Sequence, residues 1–533
     1  MLQILKRADE AAMAAIVEEK YVRGTTEVFL LFAMGSQFDH LIRLALEKLG
    51  VYCLVADPGT VTAADVQRVA PIGIILSGGP ASVTSEPPPF DTAIFDLGIP
   101  VLGICLGFQM WAKHIGSTVS SGSQKEFGLH EIVVYSDNVL FADCPERFSV
   151  VQSHGDYIEL SHPITGLARS GDVVAAAFRN HLYGVQFHPE VSHSEYGMTI
   201  FENFCFRICG AQDRYPAGDV AHNKIEKLRW IVNNKTVLLG LSGGSDSSVV
   251  AHLLSLALQQ TKFGEVIGLY ISGLDRTGDA DFVKAHFQDL ERVRLHYIDA
   301  TELFLHALAG KVTGREKRMA MRGVYQEIFR EQVAEFGADY VAQGTLYTDL
   351  VESGLGIESA ARKAVIKIHH NTGLDFGVPE LTPLADCVKD GARNIGRVIG
   401  VPEEILERHP FPGPGLSVRI EGEVTREKLL AARIANEIWN HELQLAGLYE
   451  SVWQAGVELT ASQHTYSRGD DAGSGHVLAL WAVWSANGFT TEAAELPWSV
   501  IKRATRRIGN KVPGVAAVVY RTSSKPPSTI EWE

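Results

Sequence analysis

Short apolar runs alternate with longer stretches of mixed polarity in the first part of the chain. The apolar runs are too short for helices and predict buried strands. They occupy residues 28–32, 52–56, 73–76 and 101–104. Residues 38–48 have the spacing of a helix, and strands that alternate with helices predict a parallel α/β sheet. Glycine-rich turns follow the third and fourth strands, where open sheets of this kind bind ligands.

The alternation returns after a polar, turn-rich segment at residues 210–218, which predicts a linker. Further apolar runs predict a second parallel sheet, with strands at 237–241, 266–271 and 294–298 and another at 340–345 that ends in a loop. From residue 408 the sequence pattern changes. A Pro/Gly-rich segment predicts a rigid turn, and a last strand is predicted at 515–520. The expected fold is α/β, with two doubly wound parallel-sheet domains followed by a smaller α+β domain. The predicted boundaries are 1–26 (an amphipathic helix without assigned function), 27–212, 213–407 and 408–533.

Composition narrows the class of protein. The chain has 533 residues, too many for one core, and its 48 Lys plus Arg against 63 Asp plus Glu give a net charge of −15. This balance disfavours a broad nucleic-acid-binding face and favours small-molecule partners. No apolar run is long enough to span a membrane and the start lacks a signal peptide's charge pattern, so a cytoplasmic protein is expected. The six cysteines have neither disulfide-framework nor zinc spacing, as expected in a reducing compartment.

Residues 242–248 read Ser-Gly-Gly-Ser-Asp-Ser-Ser and join a predicted strand to an apolar, helix-compatible segment. Adjacent glycines let a backbone approach its ligand, and free N–H groups at a helix start suit pyrophosphate. A Ser/Gly loop alone is more often a plain turn. The whole string resembles the pyrophosphate loop of the ATP pyrophosphatases and is not a Walker A loop. The predicted ATP-binding residues are Ser242, Gly243, Gly244, Ser245, Asp246, Ser247, Ser248, Gly344, Lys367 and Lys389, with Asp246 also the predicted Mg²⁺ ligand.

Residues 103–107, Gly-Ile-Cys-Leu-Gly, have the form of a nucleophile elbow. Its small residues permit a sharp strand-to-helix turn that exposes Cys105, and a helix start favours a thiolate. His188 follows a strand-like run, and Glu190 two residues later can orient it as a base. Taken singly, each has a simpler interpretation, because a buried cysteine is usually inert and a lone histidine is usually only hydrogen-bonded.

Together with Gly-Gly at 78–79 and Ser-His-Gly-Asp at 153–156, these motifs resemble the class I glutamine amidotransferases over residues 27–210. The resemblance implies that Cys105 attacks the amide of glutamine, while Glu190 orients His188 as the base. It also implies an oxyanion hole made by the backbone N–H groups of Gly79 and Leu106.

The order of these parts, ending with His-Pro-Phe-Pro-Gly-Pro-Gly-Leu at 409–416 and Lys-Pro-Pro-Ser-Thr-Ile-Glu-Trp-Glu at 525–533, resembles the glutamine-hydrolysing GMP synthases. The resemblance covers residues 27–533. It implies that glutamine supplies ammonia, that ATP adenylates the C2 oxygen of xanthosine monophosphate (XMP), and that ammonia displaces AMP to give GMP. ATP and Mg²⁺ are the implied cofactors, and the last domain is implied to form a homodimer.

The acceptor side departs from that family's pattern. The place of its Val-Asp-Asn-Gly is 270–273, Tyr-Ile-Ser-Gly, without a carboxylate. Its Lys-Arg-Lys cluster falls on 318–320 with one cation left, and its Val-Met-Gly-Asp-x-Arg falls on 467–472 without the final arginine. A rearranged set is therefore expected to bind the acceptor: Arg318, Arg468, Asp470, Lys525, Ile530 and Glu531.

These departures leave several interpretations open. The chain is an ordinary GMP synthase, a specialised relative that aminates another purine nucleotide or oxo-heterocycle, or a non-catalytic protein that keeps the fold. The intact nucleophile and pyrophosphate motifs argue against the last. A sulfur-transferring pyrophosphatase acting on tRNA fits the loop alone, but the glutamine domain and the acidic charge count against it.

Overall fold

The computed structural model describes most of the chain. The described residues are 4–36, 38–85, 87–191, 193–259, 261–346, 349, 374–387, 389–468, 471–485, 491–524 and 528–532, with the backbone alone at 122–125, 217, 468 and 471. They fold into two compact units. The first holds the described residues up to 224 together with those of 386–391, and the second holds the others.

A mixed sheet runs through the first unit. Its strands are β1 (Phe29–Phe32), β2 (Cys53–Ala56), β3 (Gly73–Leu76), β4 (Val101–Ile104), β5 (Thr118–Val134), β6 (Arg147–Glu159), β7 (Thr165–Ser170), β8 (Val173–Arg179) and β9 (Leu182–Val185). In the order β2-β1-β3-β4-β9-β8-β7-β5-β6, the strands from β2 to β9 are parallel and the rest are antiparallel. The parallel half is the predicted sheet. The antiparallel half was not predicted. Burial alternates along β6, as is typical of an antiparallel strand with one face on the core and one face in solvent.

Helices and short turns precede, connect or follow these strands, and the last of these helices continues into the second unit, which begins at residue 225. The helices are α1 (Glu10–Arg23), α2 (Asp39–Lys48), α3 (Ala63–Val69), α4 (Leu106–His114), α5 (Gly197–Glu202) and α6 (Ala217–Val232), with 3₁₀ turns at Thr92–Asp96 and Val139–Phe141 and a π-helical turn at Asn203–Ile208.

The N-terminal extension is part of the first unit. Its helix α1 is shorter than predicted because Asp9 caps it at the start and Gly24 ends it in a left-handed conformation. Before the helix, Leu5 pairs with Ala56 at the edge of the sheet and accepts a hydrogen bond from Asp57 N at 2.9 Å. The N-terminal extension is therefore an ordered part of the first unit, paired with the edge of its sheet.

The second unit contains the predicted parallel sheet. Its strands are β10 (Thr236–Gly240), β11 (Glu265–Ser272), β12 (Val293–Asp299), β13 (Tyr340–Ala342) and β14 (Glu380–Leu381), all parallel, in the order β12-β11-β10-β13-β14. The helices that follow its strands are α7 (Ser245–Leu258), α8 (Asp279–Phe287), α9 (Thr301–Leu308), α10 (Gly314–Phe336), α11 (Lys389–Val398) and α12 (Glu403–Leu406).

The C-terminal part of the second unit is α+β, as predicted. It contains a 3₁₀ turn at Gly415–Arg419, the helices α13 (Arg426–Leu445) and α14 (Trp498–Lys511), and the strands β15 (Gln454–Arg468), β16 (Asp471–Trp484), β17 (Glu492–Ala493) and β18 (Val515–Tyr520). Strand β16 pairs antiparallel with β15 and β17 and parallel with β18.

One continuous core joins the two sheets of the second unit. Leu238 and Ile267 of the parallel sheet belong to the same buried cluster as Leu416, Trp439 and Leu480 of the C-terminal elements. The predicted boundary between residues 407 and 408 stays a prediction, as do the two other boundaries, at 26/27 and 212/213. Among the described residues, no helix is both long and apolar enough to cross a membrane.

Candidate active site

Cys105 lies at the sharp turn between β4 and α4. Its backbone has φ 49° and ψ −103°, a conformation that non-glycine residues rarely adopt. Glycines on both sides make the turn possible, because a Cβ at Gly103 would lie 2.6 Å from the carbonyl carbon of Gly107, and a Cβ at Gly107 would lie 2.6 Å from Leu76 Cβ. The elbow therefore places Cys105 at the start of α4, as predicted, but the residue is only 6% exposed, whereas the sequence predicted that the turn exposes it.

His188 and Glu190 form a buried pair beside this elbow. The His188 Nδ1 lies 2.7 Å from Glu190 Oε1, and the Glu190 side chain is fully buried. Burial alone would lower the pKa of His188, but the charge of Glu190 and the interactions with Cys105 and Glu190 outweigh it and raise that pKa well above its ordinary value. Because Glu190 holds Nδ1, the other ring nitrogen is left to exchange a proton with the Cys105 sulfur.

The predicted oxyanion residues lie against the same elbow. A Cβ at Gly79 would lie 2.4 Å from Met34 O and 2.8 Å from Leu106 Cδ2, and a Cβ at Gly78 would lie 2.8 Å from His188 Cε1. Only glycines fit between these groups. The fold thus brings Cys105, His188, Gly79 and Leu106 together, although their catalytic roles stay predictions.

Side chains that the sequence analysis overlooked complete the surroundings of Cys105. The sulfur lies 3.9 Å from Ser153 O, within the predicted Ser-His-Gly-Asp segment, and accepts from Gln186 Nε2 at 3.6 Å. Gln109 Nε2 donates to Asp156 O at 3.2 Å. Gln186 stands two residues before His188 and Gln109 four residues after Cys105, so their proximity in sequence to a reactive residue was the available signal.

The predicted pyrophosphate loop joins β10 to α7. Gly243 has φ 72°, and a Cβ there would lie 2.6 Å from Val283 Cγ2. Ser242 Oγ accepts from Gly244 N at 3.3 Å and lies 3.2 Å from Ser247 Oγ. Ser247 and Ser248 donate to Gly244 O at 3.2 and 2.7 Å. The loop therefore forms a hydroxyl-lined turn at a helix start, an arrangement suited to an anion.

Gly344 lies directly against this loop. A Cβ at Gly344 would lie 2.7 Å from Ser247 N and 2.8 Å from the Asp246 carbonyl carbon. The close approach of the two backbones explains the glycine. Lys367 lies outside the described residues, and Lys389 begins α11 within the segment that belongs to the first unit. Contacts of both lysines with ATP stay predictions.

Asp246, the predicted Mg²⁺ ligand, is half-buried in the first turn of α7. Its Oδ1 accepts from Ser245 Oγ at 2.9 Å. A carboxylate beside a phosphate-binding loop suits Mg²⁺, which usually takes one or two carboxylates and fills its other positions with phosphate oxygens and water. Within the described ranges, no group of three or more His, Cys, Asp or Glu side chains is arranged to hold a metal.

Charged residues that the sequence analysis missed support the loop. Arg408 Nη1 donates to Gly243 O at 3.2 Å, and the same guanidinium binds Asp279. Arg276 Nε lies 3.2 Å from Asp279.

The strand end at 270–273 lacks a carboxylate of its own, but the side chain of Asp275 lies beside it. Asp275 Oδ1 accepts from Gly273 N at 3.0 Å. A residue just beyond the strand therefore supplies the carboxylate that the strand end itself lacks.

The predicted acceptor residues are only partly described. Arg318 is buried in α10, and Arg468 is described as backbone at the end of β15. Asp470 and Lys525 lie outside the described residues. Ile530 O accepts from Arg521 Nη1 at 2.8 Å. Binding of the acceptor by this set therefore remains a prediction.

Glu531, the last described member of that set, is engaged within the fold. Its two carboxylate oxygens accept from Nε and Nη2 of Arg419, both at 2.9 Å, and Oε1 also accepts from Gln454 Nε2 at 3.2 Å. Both charged side chains are buried. A bidentate, buried pair of this kind anchors the C-terminal tail.

Comparisons with known proteins find matches along the chain. Residues 30–208 match the sequence family of class-I glutamine amidotransferases, 221–305 match NAD synthase, and 441–532 match the GMP synthase C terminal domain. A solved structure from Thermoplasma acidophilum, named for one of the subunits of a GMP synthase, is 29% identical and covers 34% of this chain and 94% of that one, with a TM-score of 0.32.

Full-length relatives extend the similarity to nearly the whole chain. The "GMP synthase [glutamine-hydrolyzing]" of Campylobacter jejuni subsp. doylei is 40% identical over 517 residues, which is 95% of this chain and 99% of that protein. The protein of the same description from Latilactobacillus sakei is 38% identical, over 94% of this chain and 97% of that protein. At this identity and coverage, the chain belongs to the family of glutamine-hydrolysing GMP synthases.

Proposed function

We propose that this chain forms GMP by glutamine-dependent amination of XMP, with ATP cleaved to AMP and pyrophosphate. The observation that carries the proposal is the match to GMP synthases over 95% of the chain. It is supported by the presence of a glutamine amidotransferase match and an NAD synthase match in the same chain. Ammonia made by the first part is consumed by the second.

The elbow geometry supports the following glutaminase reaction. His188 takes the proton of the Cys105 thiol, and the thiolate attacks the amide carbon of glutamine. The N–H groups of Gly79 and Leu106 stabilise the oxyanion, and His188 returns its proton to the departing ammonia. Water, deprotonated by His188, then cleaves the thioester to glutamate. Glu190, 2.7 Å from Nδ1, keeps the ring oriented and stabilises its positive charge through both steps.

The synthetic reaction uses the loop at residues 242–248. Its N–H groups and hydroxyls bind the β- and γ-phosphates, while the C2 oxygen of XMP attacks the α-phosphorus and pyrophosphate leaves. Asp246 would hold Mg²⁺. When bound, Mg²⁺ neutralises charge on the triphosphate. Ammonia then attacks C2 and AMP departs. Adenylation is needed because the purine oxygen alone would be a poor leaving group.

The acceptor site is proposed to use a rearranged basic set. A nucleotide 5′-phosphate needs cationic or N–H contacts, and Arg318, Arg468 and Lys525 are the candidate cations, with Asp470 and Ile530 also assigned to this site. We also propose that the protein is a cytoplasmic homodimer of purine biosynthesis, as the family resemblance implies. Met319, at a position where the family carries a cation, is half-exposed and supplies no charge.

A substrate panel tests the proposal. The protein is incubated with glutamine, Mg-ATP and oxo-purine nucleotides that include XMP and inosine monophosphate, and AMP, glutamate and aminated product are quantified. XMP should give equal amounts of AMP and GMP. If AMP is released only with another oxo-purine or with an unphosphorylated heterocycle, that compound and not XMP is the acceptor. Formation of ADP instead of AMP would overturn the pyrophosphatase assignment.

A further inference from the structure

A second buried carboxyl lies behind the candidate glutaminase centre. Asp39 is the first residue of α2 and is only 4% exposed. Its Oδ2 accepts from Gly35 N at 3.2 Å. The preceding residue, Phe38, packs its ring edge-on against the His188 ring, with centroids 5.7 Å apart. The start of α2 therefore touches the candidate base directly.

Asp39 also supports the turn on which the oxyanion loop rests. Gly35, which Asp39 binds, follows Met34, whose carbonyl oxygen is the group that excludes any side chain at Gly79. Met34 N in turn donates to Ser77 Oγ at 2.8 Å. One carboxyl is thus linked by short contacts to the oxyanion glycine on one side and to the His188 ring on the other.

Two buried carboxyl oxygens at this place lack a hydrogen-bond partner among the described residues, Asp39 Oδ1 and Glu190 Oε2. Burial raises the pKa of Asp39 to about 7, and the negative charge of Glu190 acts in the same direction, while hydrogen bonds from Ser77 and Gly35 act the other way. The charge of a neighbouring carboxylate disfavours ionisation of a buried carboxyl. Asp39 therefore changes its charge near neutral pH.

The charged and titratable groups around Asp39 come from several elements. Glu190 is the one charged residue among the principal causes of its shifted pKa. Helix α5 packs against α2 and carries Glu202, which is partly exposed and pairs with Arg214. Strand β2, also packed against α2, carries the thiol of Cys53. On α2 itself, His40 and Arg43 are buried. Beyond Glu190 lie His188 and Cys105.

We propose that Asp39 is a positioning residue of the glutaminase, which supports the oxyanion turn through Gly35 and acts on His188 through Glu190. In its neutral form it leaves Glu190 as the single negative charge behind the imidazole. When Asp39 ionises, a second negative charge holds the proton more tightly on His188. His188 then releases that proton less readily to the departing ammonia, and turnover falls. The inference rests on the proposed glutaminase function.

Asp39→Asn separates charge from shape, because asparagine keeps an oxygen for Gly35 N and does not ionise. Glutamate release is measured from pH 5.5 to 9 and divided by the ammonium-dependent activity of the same variant, so that titrations at the ATP site cancel. Wild type and Asp39→Asn should agree near pH 6. Above pH 8, wild type should be lower by roughly tenfold, the factor that corresponds to one pKa unit.

Two further variants distinguish positioning from general support. Asp39→Leu loses the acceptor for Gly35 and should be slower at every pH, with asparagine restoring the rate. Asp65→Asn removes a carboxylate that caps α3 in the same unit and should leave the shape of the profile unchanged. Parallel pH profiles for wild type and Asp39→Asn would overturn the proposed role of Asp39. The proposed glutaminase function is tested separately by Cys105→Ala, so the failure of one can be distinguished from the failure of the other.

Alkylation of Cys105 by iodoacetamide gives a second readout that does not need turnover. The rate reports the thiolate–imidazolium pair, and in wild type it should show an inflection near pH 7 that Asp39→Asn lacks. Should the asparagine variant fail to fold, the wild-type profile decides alone, and the absence of an inflection near pH 7 refutes the role of Asp39.

Discussion

Arg408 Nη1 donates to the backbone oxygen of Gly243, 3.2 Å away. The contact joins the residue that precedes the Pro/Gly-rich segment to the first glycine of the predicted pyrophosphate loop. The guanidinium also stacks over Phe282, 4.0 Å from the ring centroid, and binds Asp279. A partly buried arginine therefore supports the loop through the backbone oxygen of Gly243.

Arg408→Ala is expected to raise the KM for ATP by about tenfold or more, because a hydrogen bond from a charged group contributes ~1.5–3 kcal/mol. AMP formation should fall with glutamine and with ammonium salts alike, while Cys105 alkylation stays unchanged. The exposed Arg294, which pairs with Glu265 at 3.1 Å, is the matched control and should have little effect when replaced by alanine. An unchanged KM for ATP would show that Gly243 keeps its conformation without Arg408.

Cys105→Ala should abolish glutamine-dependent GMP formation and leave the ammonium-dependent reaction intact, because free ammonia reaches the adenylate without the first reaction. Glutamate and GMP are measured in parallel assays. Cys144→Ala, at a half-buried cysteine of the same unit, is the control and should retain both activities. If folded Cys105→Ala lost the ammonium-dependent reaction as well, the division of labour between the two centres would be wrong.

Gly244→Val should eliminate AMP formation without unfolding the protein. Gly244 has φ −78°, which valine tolerates, and a Cβ there meets only Ser242 Oγ at 3.4 Å, so the new side chain projects into the loop. Asp246→Asn should lower AMP formation by weakening the metal site. Gly323→Ala in α10 has open space around its Cβ and serves as the control. If Gly244→Val released AMP at the normal rate, the phosphates of ATP would not bind at this loop.

Glu531→Gln should destabilise the second unit, because it leaves the Arg419 guanidinium buried with a neutral partner; breaking a buried ion pair costs about 3–5 kcal/mol. Urea denaturation followed by tryptophan fluorescence measures the loss. The neighbouring Trp532 is 41% exposed, and Trp532→Phe is the control. A variant with normal stability but a raised KM for XMP would instead support the predicted role of Glu531 in acceptor binding.

Asp39→Asn should stabilise the protein more at pH 8 than at pH 5. In wild type the folded-state pKa of Asp39, about 7, exceeds its ordinary value of 3.8. The unfolded chain therefore loses this proton first, and stability falls as pH rises between those values, by at most ~1.4 kcal/mol per pH unit. Asparagine removes that slope. Melting temperatures of both proteins across this range measure it, and equal slopes would contradict a raised pKa.

The sequence alone determined the parts whose signals are local. Short apolar runs predicted the parallel strands, and the spacing of Gly103, Cys105 and Gly107 predicted the elbow, since only glycines permit that turn. The string at 242–248 likewise specified a glycine-rich turn followed by a helix start. In each case neighbouring residues fix the backbone, so the motif carries its own geometry.

Tertiary structure decided the relationships between residues far apart in the chain. Arg408 and Gly243 stand far apart in sequence, as do Asp39 and Glu190, and no local pattern assigns either pair. The role of Glu531 in acceptor binding stays a prediction, and only the fold shows that this residue is buried against Arg419. Buried charges acquire partners from whichever elements the core brings to them, because an unpaired charge there is unstable. Their roles therefore follow from packing, which residue types and spacing do not encode.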